Sequence, residues 1–180
     1  AVISLGGIVA ARSLRIAGDR LTEDIRHFSQ EECKLLLGER TAEDLKMAIG
    51  SAAKGAKTIE SSVRGRDLVT GLPREVIITD ADVREAMAKS IRTIAEATKE
   101  VIERTPPELV ADIMHRGIYL VGGGSFLRGL DKVLESETKI PIIVSDDPLT
   151  AVVRGCGIVL EDLDNFREAL VEHEDELPPT

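Results

Sequence analysis

Three consecutive glycines, Gly122-Gly123-Gly124, follow the apolar run Tyr119-Leu120-Val121 and precede a helical pattern that starts at about Phe126. Few sequence features restrict a fold as much. Glycine tolerates backbone conformations closed to other residues, and it lets another group approach the main chain. A strand-to-helix turn also leaves helix N–H groups without intrahelical partners, so a ribose, an α-phosphate or a base could lie against it. The same residues equally suit a plain, tight connection. On its own the turn leaves both readings open. The dinucleotide pattern G-x-G-x-x-G is absent, because Leu127 stands where its last glycine belongs. There is no Walker A sequence either.

Charge narrows the partners. The net charge is −9, and residues 161–180 hold eight acids against one Arg, which leaves −2 for the rest. Phosphate backbones are bound by basic surfaces, so nucleic acid is not expected as a partner. The core is aliphatic, since the chain has no Trp, one Tyr and three Phe. Cys33 and Cys156 are far apart and read as reduced structural thiols. His27, His115 and His173 are isolated and read as surface or tail residues rather than ligands. No apolar run approaches the roughly 20 residues that cross a bilayer. The chain begins on Ala1-Val2-Ile3-Ser4-Leu5, an apolar strand already under way, and reads as a piece of a longer one.

In chain order, residues 1–5 and 8–16 are β-prone runs around Gly6-Gly7, the pattern of a hairpin. A helix is expected from about Asp19 to Cys33, burying Leu21, Ile25 and Phe28, followed by a buried elbow at Leu35-Leu36-Leu37-Gly38. Thr41 is a candidate N-cap of the next helix, with acids in its first turn and Leu45 and Ile49 on its buried stripe. Residues 52–57 read as a mobile loop. Three short strands are expected at Thr58–Arg64, Asp67–Thr70 and Arg74–Thr79, with turns at Gly65 and Gly71-Leu72-Pro73. Arg64, Arg66 and Arg74 would form a basic patch on this meander. Thr79-Asp80 should cap a long helix to about Arg104, because Val83, Met87, Ile91, Ile94, Thr98 and Val101 recur at helical spacing. A short helix starting at Pro106 or Pro107 leads to the strand before the glycines. A helix to about Thr138, a strand at Ile140–Val144, and a helix Leu149 to about Leu163 interrupted at Gly155-Cys156-Gly157 complete the order. Strands alternating with helices in this last part make α/β the expected class, with a small α+β insertion.

Glu43 and Lys46 are three residues apart and share a helix face. They suit a surface ion pair, or a ligand-facing pair whose carboxylate meets ribose hydroxyls. No catalytic group and no metal-ligand set stands out.

Several stretches together resemble the MreB family of bacterial actin homologues. They are Gly38-Glu39-Arg40-Thr41-Ala42-Glu43-Asp44-Leu45-Lys46 with Gly50-Ser51-Ala52, Val63-Arg64-Gly65-Arg66-Asp67 through Gly71-Leu72-Pro73, and Glu103-Arg104-Thr105-Pro106-Pro107 through Ile113. Gly122-Gly123-Gly124 through Arg128-Gly129-Leu130-Asp131 also fits, as does Ile140-Pro141 with Asp147-Pro148-Leu149-Thr150. The resemblance covers residues 1 to about 160, and the order and spacing carry it rather than any single motif.

It implies an actin-like ATPase fold of the ribonuclease H-like kind, here the second domain. The larger subdomain would take 1–37 and 80–163 and the smaller inserted one 38–79, while residues 164–180 depart from the family pattern and their acidic composition makes a disordered tail the expectation. It implies a cytoskeletal protein at the inner face of the cytoplasmic membrane that binds ATP, forms filaments, governs rod cell shape and guides cell-wall synthesis. Expected partners are further copies of itself, membrane-bound cell-elongation proteins, and the membrane surface through the missing first domain. Mg²⁺ is expected in the complete protein, with its ligands in that missing half, as is the phosphate loop Asp-Ile-Gly-Gly-Gly-Thr. Carried over by motif, the nucleotide-binding positions are Glu43, Asp44, Leu45 and Lys46, near ribose and base, and Gly122, Gly123, Gly124 and Ser125, against adenosine and α-phosphate. Ser125 stands where Ala is usual, and its hydroxyl is expected to be idle. The alternatives are a fragment of another actin, sugar-kinase or heat-shock superfamily ATPase, or a non-catalytic filament-interaction module.

Overall fold

The computed structural model describes residues 1–166, so the acidic tail lies outside the described residues from 167 onward. The chain divides into two compact units. One holds Ala1–Leu14, Ala95–Ser125 and Leu134–Thr180, and the other holds Arg15–Ile94 and Phe126–Val133.

In the first unit, β1 (Val2–Ser4) and β2 (Gly7–Ala10) form the expected antiparallel hairpin, with Ser4 opposite Gly7. Its turn is Leu5-Gly6 rather than Gly6-Gly7. Both turn residues have positive φ, 52° and 81°, the handedness that matches strand twist in a two-residue hairpin. The second strand stops at Ala10, short of the expected run to 16.

Later in this unit, α4 (Pro107–Arg116) starts on proline as expected, and Gly117 ends it at φ 80°. The strand β6 (Ile118–Leu120) pairs in parallel with β7 (Ile142–Val144), Tyr119 opposite Ile143. A parallel pair needs a crossover, and the chain between them supplies it. The final helix α6 (Ala151–Glu161) runs through Gly155 and Gly157 without the expected interruption. An interior glycine costs a helix only about 1 kcal/mol, so the two glycines disfavour the helix without forbidding it.

The second unit carries most of the apolar core. Here α1 (Gly18–Glu31) buries Leu21, Thr22, Ile25 and Ser29, while Phe28 and Cys33 are only half-buried. The expected elbow is a short strand, β3 (Leu35–Leu36), and the Ser29 hydroxyl donates to the Leu35 carbonyl at 2.9 Å. Next, α2 (Glu39–Ile49) is capped by Gly38 backbone, not by the Thr41 side chain, which lies inside the first turn. It buries Ala42, Leu45 and Ile49.

Gly65 does not turn the chain. It sits inside one continuous strand, β4 (Glu60–Asp67), paired with β5 (Pro73–Thr79). The sheet order is β3-β4-β5, all antiparallel. A Cβ on Gly65 would fall 2.5 Å from the Leu36 carbonyl oxygen, so this glycine answers a close approach of β3. The expected strand Asp67–Thr70 is a turn, in which Asp67 Oδ1 accepts the Val69 and Thr70 amides, each at 2.8 Å. Two arginines of the expected basic patch are ion-paired, Arg64 with Glu75 at 3.0 Å and Arg74 with Asp67 at 2.7 Å.

The long helix α3 (Asp80–Glu103) begins in this unit and continues into the other. Thr79 caps it reciprocally. The Asp82 amide donates to Thr79 Oγ1 at 3.2 Å, and the Thr79 amide donates to Asp82 Oδ2 at 2.8 Å, the arrangement of a capping box. Val83, Met87, Ile91 and Val101 of its stripe are buried, with Ala95 and Ala97. Ile94 and Thr98 are half-buried.

Neither cysteine is in a disulfide. Burial pushes the Cys33 thiol up from its ordinary pKa, whereas Cys156 is exposed on α6 and is no structural thiol. Among the described residues no helix is long and apolar enough to cross a membrane.

Candidate functional site

Glu43 and Lys46 lie one helical turn apart on α2, which brings their side chains to the same face. That face packs on α1. The Lys46 ammonium donates to Glu43 Oε2 at 2.6 Å, to the Gly18 carbonyl at 2.8 Å and to Thr22 Oγ1 at 3.0 Å. An ammonium has three N–H groups, and these three acceptors use them all. The Lys46 side chain is 12 % exposed and that of Glu43 40 %. The pair is therefore tucked between two helices, unlike a solvated surface pair.

The Thr22 hydroxyl also donates to Glu43 Oε2. With Lys46 and Thr22 both on Oε2, Glu43 Oε1 has no partner among the described residues. Hydrogen bonding from Lys46, then from Thr22, holds the Glu43 carboxyl below its ordinary pKa against the opposing effect of burial. The outcome is an ionised, oriented carboxylate with one oxygen available. Such a group accepts hydrogen bonds from hydroxyls.

Of the other two positions in this motif, Asp44 is exposed and Leu45 is 2 % exposed in the core. Thr22 and Gly18 were not legible as site residues. They come from α1, more than 20 positions upstream, and only helix packing brings them to the pair.

The glycine turn belongs to the other unit. Gly122 has φ 83°, a conformation that favours glycine, and its amide donates to the Pro148 carbonyl at 2.7 Å. Gly123–Phe126 is a single 3₁₀ turn. The α-helix expected directly after the glycines starts later, as α5 (Leu130–Thr138). Gly129, at φ 77°, separates the two elements, and a Cβ there would meet the Ala53 Cβ at 2.7 Å. Ser125 is not idle. It is buried, and its hydroxyl donates to the Gly122 carbonyl at 2.7 Å, closing the turn. A Cβ on Gly124 would meet nothing within 4 Å, so bare backbone faces open space there.

Among the described residues no group of three or more His, Cys, Asp or Glu is placed to hold a metal ion.

The family model described as MreB/Mbl protein matches residues 1–168. The chain belongs to the MreB/Mbl family. It is 45 % identical over 166 residues to the cell shape-determining protein Mbl of Bacillus subtilis (strain 168), covering 92 % of this chain and 50 % of that one. It is 45 % identical over 164 residues to the cell shape-determining protein MreB of Escherichia coli (strain K12), covering 91 % and 47 %. The chain thus spans about half the length of the MreB/Mbl relatives it matches. Among solved structures, MreB5 of Spiroplasma citri bound to AMPPNP superposes with a TM-score of 0.85 at 35 % identity, covering 93 % of this chain and 50 % of that one. A double-helical MamK filament superposes at 0.66 with 20 % identity, covering 92 % and 46 %, which speaks to the fold alone. The expected actin-like α/β fold is that of MreB5. Membership of the MreB/Mbl family removes the sugar-kinase and heat-shock alternatives.

Proposed function

We propose that this chain is the nucleotide-contacting half of an MreB-like cytoskeletal protein that binds ATP, assembles into filaments with further copies of itself, and governs cell shape while guiding cell-wall synthesis. Its relatives are named as cell shape-determining proteins, and MreB5 was solved with AMPPNP and with ADP. In this proposal the protein works at the inner face of the cytoplasmic membrane with membrane-bound cell-elongation proteins, and residues 38–79 act as the smaller subdomain.

What carries the proposal is Glu43 Oε1, the one carboxylate oxygen that Lys46 and Thr22 leave unengaged. Glu43 would accept the ribose hydroxyls. Lys46, with all its donors used inside the unit, would act as a positioning residue that keeps that carboxylate charged and aimed. The Gly122–Ser125 turn, open at Gly124, would offer bare backbone to adenosine and α-phosphate. Mg²⁺ would accompany ATP in the complete protein, and no ligand for it is proposed here.

The test is a titration of the chain with ATP and with 2′,3′-dideoxy-ATP. ATP should bind at least tenfold more tightly, and Glu43→Gln should abolish the difference without changing the far-ultraviolet circular dichroism. Equal affinity of the unsubstituted chain for the two nucleotides would overturn the assignment of Glu43.

A further inference from the structure

The second unit contains a cleft that the Glu43–Lys46 cluster does not touch. Its volume is about 160 Å³, and four cations line it: Lys54, Lys57, Arg128 and Lys132. That volume is below the roughly 300 Å³ at which pockets begin to hold drug-sized molecules, which suits a phosphate-sized group rather than an enclosed larger ligand.

The floor is fixed by backbone. The Ala52 amide donates to the Arg128 carbonyl at 2.7 Å, and Arg128 Nε donates to the Gly50 carbonyl at 3.1 Å. Gly129 lets the two segments meet, since any side chain there would strike Ala53.

The one acid on the wall, Asp80, is engaged elsewhere. Its Oδ1 accepts the Ile59 amide at 3.1 Å and its Oδ2 takes Arg84 at 3.2 Å. Lys54, Lys57 and Lys132, by contrast, have no hydrogen-bond or ion-pair partner among the described residues. Lys54, Lys57 and Lys132 all line this one small concavity, and like charges gathered there favour a bound anion. The cleft also adjoins the first turn of α5, where the helix dipole favours negative charge.

We propose that this cleft is an anion site for a phosphate group, either on a small phosphorylated molecule or on a lipid headgroup. Lys54, Lys57 and Lys132 neutralise the phosphate oxygens, and Arg128 holds the floor. The site shares no residue with the proposed nucleotide contacts, and neither assignment depends on the other.

Lysine acylation mapped by mass spectrometry tests it on the full chain. Pyrophosphate, or vesicles of phosphatidylglycerol in phosphatidylcholine, should protect Lys54, Lys57 and Lys132 but not the exposed Lys89. Protection should weaken as salt is raised. Pyrophosphate protection identifies a small phosphorylated ligand, and protection by the anionic vesicles alone identifies a lipid headgroup. The double substitution Lys54→Glu/Lys57→Glu should lower pyrophosphate affinity, or vesicle co-sedimentation, at least tenfold, while Lys89→Glu leaves it unchanged. The proposal is overturned if neither probe protects the three lysines, if Lys132 stays equally protected in the doubly substituted chain, or if only polyglutamate protects them.

Discussion

Lys46 Nζ lies 2.6 Å from Glu43 Oε2 and 2.8 Å from the Gly18 carbonyl, so one ammonium ties the Glu43 carboxylate of α2 to the first turn of α1. The link has a pH signature. The folded-state pKa of Glu43 is lowered from an ordinary value of 4.5. A carboxyl with a depressed folded pKa binds fewer protons folded than unfolded, so its stabilisation is fully present above the unfolded value and is lost as pH falls through the folded one. Urea unfolding between pH 7 and pH 3 should show stability falling below about pH 4.5. Glu43→Gln should flatten part of that fall. Asp67 and Asp80, depressed by backbone hydrogen bonds, and Glu75, depressed by hydrogen bonds from Ser62 and Arg64, should supply the remainder.

Lys46→Ala should cost about 1.5–3 kcal/mol in urea unfolding, the range for losing hydrogen bonds to a charged group. Thr22→Val removes one donor to Glu43 with little change in volume and should cost about 1 kcal/mol. The two losses should not add, because both substitutions act on the same carboxylate oxygen.

Gly65→Ala should destabilise the chain by roughly 2–3 kcal/mol, in the range for steric overpacking. The added methyl would sit 2.5 Å from the Leu36 carbonyl oxygen and 2.9 Å from Leu35 Cγ, so β3 must leave β4. Amide exchange should then rise at Leu35, Leu36, Arg66 and Asp67. Gly71→Ala meets nothing within 4 Å but stands at φ 75°, and should cost only about 1 kcal/mol through backbone strain. Equal losses at the two glycines would contradict the close approach at Gly65.

Thr79→Ala and Asp82→Ala should each lower stability by about 1 kcal/mol as the α3 cap is lost. The double variant should lose less than the sum of the two, because each residue's partner is the other. Thermal melts of the four-membered cycle measure that coupling.

Where a local rule matched the tertiary demand, the sequence was enough. The α3 stripe, the Thr79 cap and the strand–helix–strand order around β6 and β7 follow from periodicity and capping chemistry, and the first hairpin follows from its glycines although its turn falls at Leu5-Gly6. Glu43 and Lys46 were legible as a pair. Their partners were not, because no local pattern announces that Gly18 and Thr22 will lie across from them. Glycine was the main source of error. Gly65, Gly129 and Gly155 look alike in sequence, yet one admits a neighbouring strand, one ends a turn at positive φ, and one is merely tolerated in a helix. Those demands come from packing, which spacing does not encode. Ser125 differs, since the partner of its hydroxyl is local, the Gly122 carbonyl of its own turn.

The exposed apolar residues of α6 carry a practical consequence. Val152, Val153, Ile158 and Leu160 are each more than half exposed, on a helix whose only charged side chains are Arg154 and Glu161. Exposed apolar side chains gathered on one helix make a surface sticky in water. Handled by itself at high concentration, the chain will be limited by solubility before it is limited by folding. Detergent or a polar replacement at Val152 and Val153 should then raise the usable concentration without moving the melting temperature.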